Sequence, residues 1–285
     1  MKKNFLFTIT VLSFFLALNN SVAQTTLEIA TNEYNSEQFS KAESTLEAYL
    51  SEHSKDPVYL KLLADAKHKQ DKFSEAVKLY SKAIKYDREN PILFFNRGAA
   101  YVFLEEYKEA LSDINIAIKM KPDSAEMYYY KGYCLAELFK YNAAIEAYNK
   151  AISLKPDYAA AIYNRGAAKG ELNRYEEGMQ DFKIALEKEP ELVDGQINLA
   201  LSYLGLKEYE EAIKGFDQVI ASRDANLGKA YFYRGEAKYE IGNKEEACLD
   251  YQKALNLGYE TADVNIKNLC GSNKKSKRRD IDITF

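Results

Sequence analysis

A spacing of 34 residues recurs along this chain and restricts what it can fold into more than any other feature. Gly98, Gly132, Gly166 and Gly235 sit in near-identical settings, with Ala200 filling the slot between the last two. Twelve residues after each comes a small residue: Ala110, Ala144, Gly178, Ala212 and Ala247. A large apolar residue follows four further on (Ile114, Tyr148, Phe182, Phe216, Tyr251), then Ala117, Ala151, Ala185, Val219 or Ala254. Pro122, Pro156 and Pro190 close three of the units. A fixed period in this range implies units that bury their apolar faces against their neighbours, hence an all-α solenoid that offers a surface for partners.

Within one unit the apolar spacing predicts two helices. Over 91–104, Phe94, Gly98 and Tyr101 fall at steps of four and three, the helical period. Over 107–119, Tyr107, Ala110, Leu111, Ile114, Ala117 and Ile118 repeat that logic. The link Glu105–Glu106 leaves room only for a tight turn, so the two helices are expected to be antiparallel neighbours. Gly98 and Ala110 would let their backbones approach closely. Lys-Pro-Asp at 121–123 then ends the second helix, because proline cannot continue it.

These residues resemble the tetratricopeptide repeat pattern, a helix–turn–helix of 34 residues with a large-small pair, an aromatic, an alanine and a late proline. Residues 91–124 match it at Phe94, Arg97, Gly98, Tyr101, Ala110, Ile114, Ala117 and Pro122. The resemblance extends over repeats 24–56, 57–90, 91–124, 125–158, 159–192, 193–227 and 228–261. It implies a right-handed solenoid of about seven repeats. Residues 261–270 are expected to form a capping helix that covers the last repeat with Val264, Ile266 and Leu269.

Both ends of the chain read differently. Lys2 and Lys3 precede an apolar run from Phe5 to Leu18 that ends in Ser21-Val22-Ala23, the pattern of a cleaved secretory signal over 1–23. That run is shorter than the roughly 20 apolar residues needed to span a bilayer. Removing Lys2 and Lys3 takes the net charge from −4 to −6. Lys274, Lys275, Lys277, Arg278 and Arg279 crowd near the C-terminus, so 271–285 is expected to be a basic, disordered tail. Its last residues, Ile281 to Phe285, alternate apolar and polar, the pattern of a strand added to another protein's sheet edge. Attraction of 274–285 to an anionic surface is the other reading of this segment.

The sequence offers little to a catalyst. It has two histidines, three cysteines, no Gly-rich phosphate loop and no cysteine at metal-ligand spacing, so no cofactor, metal site or enzymatic activity is expected. An acidic body is a poor surface for nucleic acid along its length. The resemblance instead implies that the first helices of successive repeats line a concave, partner-binding face. Its candidate residues are Phe95, Asn96, Tyr129, Tyr130, Tyr133, Tyr163, Asn164, Asn198, Phe232 and Tyr233, with Asp65, Glu236 and Tyr239 further along the same helices. Asn can bond both polar groups of an extended backbone, and Tyr supplies contact area at low entropy cost. Arg97, Arg165 and Arg234 are expected to lay their stems along the helices with their heads in water. The expected function is a protein- or peptide-binding adaptor in the bacterial cell envelope, periplasmic or extracellular; the alternative is a structural subunit of an envelope or secretion assembly.

Export permits a disulfide, and the helix register selects Cys248 with Cys270. The turn between their helices falls near Gly258-Tyr259, ten residues after one and eleven before the other. At about 1.5 Å per residue both lie some 15 Å from that turn, which brings them level. Cys134, inside a first helix, is expected to stay reduced in the core.

Overall fold

The computed structural model describes residues 24–192, 194–222, 226–270 and 281–285. The expected signal segment 1–23 and the basic run 274–279 lie outside the described residues. The described residues are helical throughout the repeats and contain no strand. No helix among them is long and apolar enough to cross a membrane.

The chain divides into two compact units, one ending at Cys134 and the other starting at Leu135. Unit 1 contains α1 (24–35), α2 (Phe39–Glu52), α3 (Pro57–His68), α4 (Phe73–Tyr86), α5 (Pro91–Phe103), α6 (Tyr107–Met120) and most of α7 (Ala125–Glu137). Unit 2 contains α8 (Tyr141–Leu154), α9 (Ala159–Glu171), α10 (Tyr175–Lys188), α11 (Gly195–Gly205), α12 (Tyr209–Ser222), α13 (Leu227–Glu240), α14 (Lys244–Asn256) and α15 (Thr261–Leu269). Odd-numbered helices open the repeats and even-numbered ones close them. In unit 1, α2 to α6 pack consecutively on one another, and in unit 2 α8 to α15 do so.

The repeated small–large–small slots are the core. Ala76, Tyr80 and Ala83 in unit 1, like Ala247, Tyr251 and Ala254 in unit 2, are sealed from solvent. The small residues are needed where two helices touch: a Cβ added to Gly98 would stand 3.2 Å from the carbonyl oxygen of Ala110. Asp56 and Asn90 cap the helices that follow them by accepting from the backbone of Val58 and Ile92, with Pro57 and Pro91 at the first helical position.

The turn inside each pair is built the same way every time. One residue takes a left-handed conformation: Glu37, Asp71 and Glu105 in unit 1, Phe139, Asn173, Lys207 and Gly242 in unit 2. The next amide then reaches back across the helix end, as Glu106 does to Tyr101 at 2.9 Å and Arg174 does to Lys169 at 2.9 Å. That bond satisfies a carbonyl the helix would otherwise leave unpaired. Six of the seven residues carry a Cβ, at roughly 1 kcal/mol each, so the packing of the following helix must outweigh the strain.

Two expectations are corrected by this packing. The guanidinium groups of Arg97, Arg165 and Arg234 do not end in water. Arg97 forks onto Asp113 (2.6 and 2.8 Å), Arg165 onto Asp181 (2.9 and 2.6 Å) and Arg234 onto Asp250 (2.8 and 2.6 Å). Each aspartate is nearly sealed from solvent. The remaining nitrogen binds the second helix of the preceding repeat, at Ser81, Asn149 or Asp217. One side chain thus ties three helices. The physical reason is that a buried carboxylate needs a charged partner, and the planar fork supplies two bonds at once.

The cap is also rotated from expectation. α15 buries Ala262 and Asn265 and packs Ile266 and Leu269 against the last repeat, whereas Val264 is 52% exposed. The helical period sets 262, 265, 266 and 269 on one face and turns 264 away from it. Cys248 and Cys270 are joined by a disulfide, with their Cα atoms 5.7 Å apart, which fastens α15 to α14. Cys134 is a buried residue outside that disulfide.

Candidate functional site

In unit 1 the first helices of successive repeats converge on a cavity of about 240 Å³. Tyr34 of α1, Asp65 and His68 of α3, Phe95, Asn96 and Ala99 of α5, and Glu126 and Tyr130 of α7 contribute to its wall, with Tyr80 reaching in from α4. The helical period explains the set: 65 and 68, and 95, 96 and 99, fall on one face of their helices.

Asp65 organises the cavity floor. Its carboxylate accepts from Lys61 Nζ at 2.6 Å, from the Tyr80 hydroxyl at 2.6 Å and from Asn96 Nδ2 at 3.0 Å. Burial pushes the Tyr80 phenol well above its usual range, and the neighbouring Asp65 charge pushes it further. The Tyr34 phenol is raised for the same two reasons in the same order. His68 sits edge-on to Phe73 (5.1 Å) and Phe103 (5.2 Å). Its Nδ1 is buried without a hydrogen-bond partner, and burial pushes the imidazole down from its ordinary value. The cavity therefore offers aromatic faces, an amide, the carboxylates of Asp65 and Glu126 and the ammonium of Lys69. The described residues hold no cluster of three or more metal-ligating groups.

The residues expected to contact a partner divide by environment. Phe95 packs edge-on to Tyr130 at 5.4 Å, Tyr129 packs edge-on to Tyr130 at 5.6 Å, and Asn96 is held by Asp65; these three aromatics and the amide form one patch of unit 1. Tyr133 lies against Tyr107. In unit 2 the Tyr163 hydroxyl accepts from Asn198, which is 2% exposed, and Asn164 bonds the carbonyl of Ala160 in its own helix. Phe232 is 5% exposed among Tyr233, Tyr251 and Tyr259, so it is a packing residue. Glu236 is likewise enclosed, accepting from Tyr251 at 2.8 Å and from Asn265 of the cap.

Tyr233 has a different neighbour. Its hydroxyl bonds the chain's own C-terminal residues, and Ile281, Ile283 and Phe285 pack against the core of unit 2. Part of the tail expected to be disordered is therefore seated on helices, and its period-two pattern faces its own chain rather than a sheet edge. Repeat spacing does not point to Gly170, Glu171 and Tyr175 as the seat of Phe285, nor to Tyr34, Tyr80, His68 and Glu126 as walls of the cavity of unit 1.

Family comparison agrees with this architecture. The profile described as TPR repeat matches residues 64–104, and that described as tetratricopeptide repeat matches 95–159, 163–226 and 197–260, together more than half of the chain. The chain belongs to the tetratricopeptide repeat family. No curated protein sequence matches it. Among solved structures, it is similar to a tetratricopeptide repeat protein from Parabacteroides merdae, at 22% identity over 86% of this chain and 97% of that one, with a TM-score of 0.63. MamA from Desulfovibrio magneticus is similar at 20% identity over 60% of this chain and 96% of that one, TM-score 0.56. YrrB, described as a tetratricopeptide repeat protein with an unusual peptide-binding site, is similar at 20% identity over 64% and 94%, TM-score 0.55. At these identities the likeness is one of tetratricopeptide fold.

Proposed function

We propose that this tetratricopeptide repeat protein is a non-catalytic adaptor that binds a protein or extended peptide on the first-helix face of its repeats, in the bacterial cell envelope. The observation that carries this is the cavity of unit 1. Four successive first helices contribute aromatic rings, an amide and two carboxylates to one concavity, an arrangement suited to an inserted side chain of a segment running across repeats. The YrrB description, a peptide-binding site on the same fold, supports a peptide as the ligand class. Export is supported by the character of residues 1–23 and by the Cys248–Cys270 disulfide, a bond that persists in oxidising compartments.

Ala99→Leu tests the cavity directly, because Ala99 lines it and a larger apolar side chain would fill it without removing any existing contact. Partners captured from envelope extract by the native chain should be lost with this variant while its melting temperature stays level or rises. Unchanged capture would remove the cavity from the binding surface. Intact-mass measurement of the secreted chain should place its first residue at Gln24; retention of residues 1–23 would end the export reading.

A further inference from the structure

The last five residues are seated on unit 2 in the manner of a bound peptide. Ile281, Ile283 and Phe285 are half-buried while Asp282 and Thr284 between them are exposed, the alternation of an extended segment. Side chains of the helices grip its backbone. The Tyr233 hydroxyl donates to the carbonyl of Asp282 at 3.1 Å and accepts from the amide of Thr284 at 3.3 Å, and Glu171 accepts from the amide of Phe285 at 2.9 Å. These bonds are indifferent to the side chains of the segment they hold.

Selectivity comes from the ring at the end. Phe285 stacks over Phe182 (centroids 6.0 Å apart, planes 10° apart) and Tyr175 (5.9 Å, 28°). Gly170 forms the floor of its seat: a Cβ there would stand only 2.5 Å from the Phe285 ring, and the three nearest atoms it would meet all belong to that ring. A glycine inside a helix is unfavourable relative to alanine, so its presence at this point is accounted for by the ring above it. No residue of the segment is fully buried, and its three apolar side chains lie on the outside of the core cluster of unit 2.

We propose that this face of unit 2 is a peptide-binding groove for extended segments with aliphatic residues at alternate positions followed by an aromatic ring, and that the chain's own C-terminus is its resident, displaceable occupant. The inference rests on the adaptor reading for its biological use, but it concerns residues of unit 2 rather than the cavity of unit 1. A segment tethered in the same chain competes at an effective concentration on the order of millimolar, so an external ligand must match its pattern or exceed its affinity.

The test uses the full chain and a fluorescently labelled synthetic peptide, Ile-Asp-Ile-Thr-Phe. A full chain carrying Ile283→Ala and Phe285→Ala should bind the peptide at least about tenfold more tightly than the native chain, since the tethered competitor is weakened. Adding Gly170→Ala to that released chain should abolish binding without lowering its melting temperature, because the new methyl group occupies the ring seat and alanine is the better helix former. In the native chain, saturating peptide should speed hydrogen exchange at the amides of Thr284 and Phe285. A released chain with an intact melting curve that does not bind the peptide would overturn the proposal, as would binding unaffected by Gly170→Ala or exchange unaffected by peptide. If the peptide fails while partner capture remains sensitive to Ala99→Leu, the adaptor reading stands and this groove does not. If the peptide binds while Ala99→Leu changes nothing, the groove stands without the cavity.

Discussion

Asp65 in unit 1 and Glu236 in unit 2 occupy the same slot of their repeats, yet they meet opposite surroundings. Each accepts from a buried tyrosine fifteen residues later, Tyr80 or Tyr251, whose hydroxyl needs an acceptor in the core. Around Asp65 the face opens into a cavity. Around Glu236 the cap closes over it with Asn265, and further along the same unit the C-terminal segment covers Gly170 and Tyr233. The lesson is that the slot in the repeat sets the local bonding, while what lies over it decides whether the residue can meet a partner.

The two units are expected to differ most in stability at their arginine brackets. In unit 2, Asp181 binds Lys169 at 2.7 Å as well as Arg165, whereas in unit 1 the Arg97–Asp113 pair has Ser81 as its third member. Removing one partner of a buried ion pair costs about 3–5 kcal/mol. Asp181→Ala should fall at the upper end, because two cations lose their anion, and Asp113→Ala at the lower. Urea denaturation of both variants measures this, and the reverse order would dismiss the shared-anion account.

The disulfide comes next. Replacing Cys248 and Cys270 by serine should cost roughly 3 kcal/mol in the chain-entropy picture of a closed loop. Hydrogen exchange should report the loss in α14 and α15 and leave unit 1 protected as before. Peptide mapping without reductant should recover a 248–270 linkage; two free thiols there would remove the strap.

A smaller effect sharpens the contrast between the two acidic slots. Tyr80→Phe and Tyr251→Phe each delete one hydroxyl that donates to a carboxylate, worth about 1–3 kcal/mol. Tyr251→Phe should be the costlier, since Glu236 is 4% exposed and Asp65 borders a cavity and keeps Lys61 and Asn96. Equal midpoints in thermal melts would mean that the covering cap makes no difference to the slot.

The gentlest probe is pH. Burial disfavours the charged form of Glu43, but hydrogen bonds from Lys67, Lys72 and Gln70 outweigh it and hold the carboxyl at about 2, below its ordinary 4.5. A depressed folded value means that this contribution is fully present above about 4.5 and is lost as the pH falls towards 2. Between those limits the melting temperature of the native chain should fall more steeply than that of Glu43→Gln. Parallel curves would show that the Lys67 cluster contributes nothing specific to unit 1.

Helix pairs, tight turns and the register of Cys248 with Cys270 were legible because each follows from spacing within one repeat. The brackets were missed because the arginine slot was weighed without its partner. Asp113, Asp181 and Asp250 stand sixteen residues after Arg97, Arg165 and Arg234, whereas Leu79 and Gly215 stand at that distance after Leu63 and Leu199. The correlated pair was the signal, and apolar periodicity does not carry it. Phe232 and Asn198 were read as surface residues although they are enclosed, because a first-helix position faces outward or inward according to what the next repeat places beside it. The seat of Phe285 is out of reach for another reason: its contact with Glu171 joins residues far apart in the chain and does not follow from spacing within one repeat.

The brackets also define the module in which this protein could be rebuilt. They fall in every second repeat, and each reaches backward to the preceding one for its third contact. Excising repeat 193–227 would set Arg234 beside Lys183, a cation in the slot where Asp217 stands, whereas splicing a pair would carry the whole set along. Recombination at that end of the array, whether by evolution or by design, should therefore move repeats two at a time.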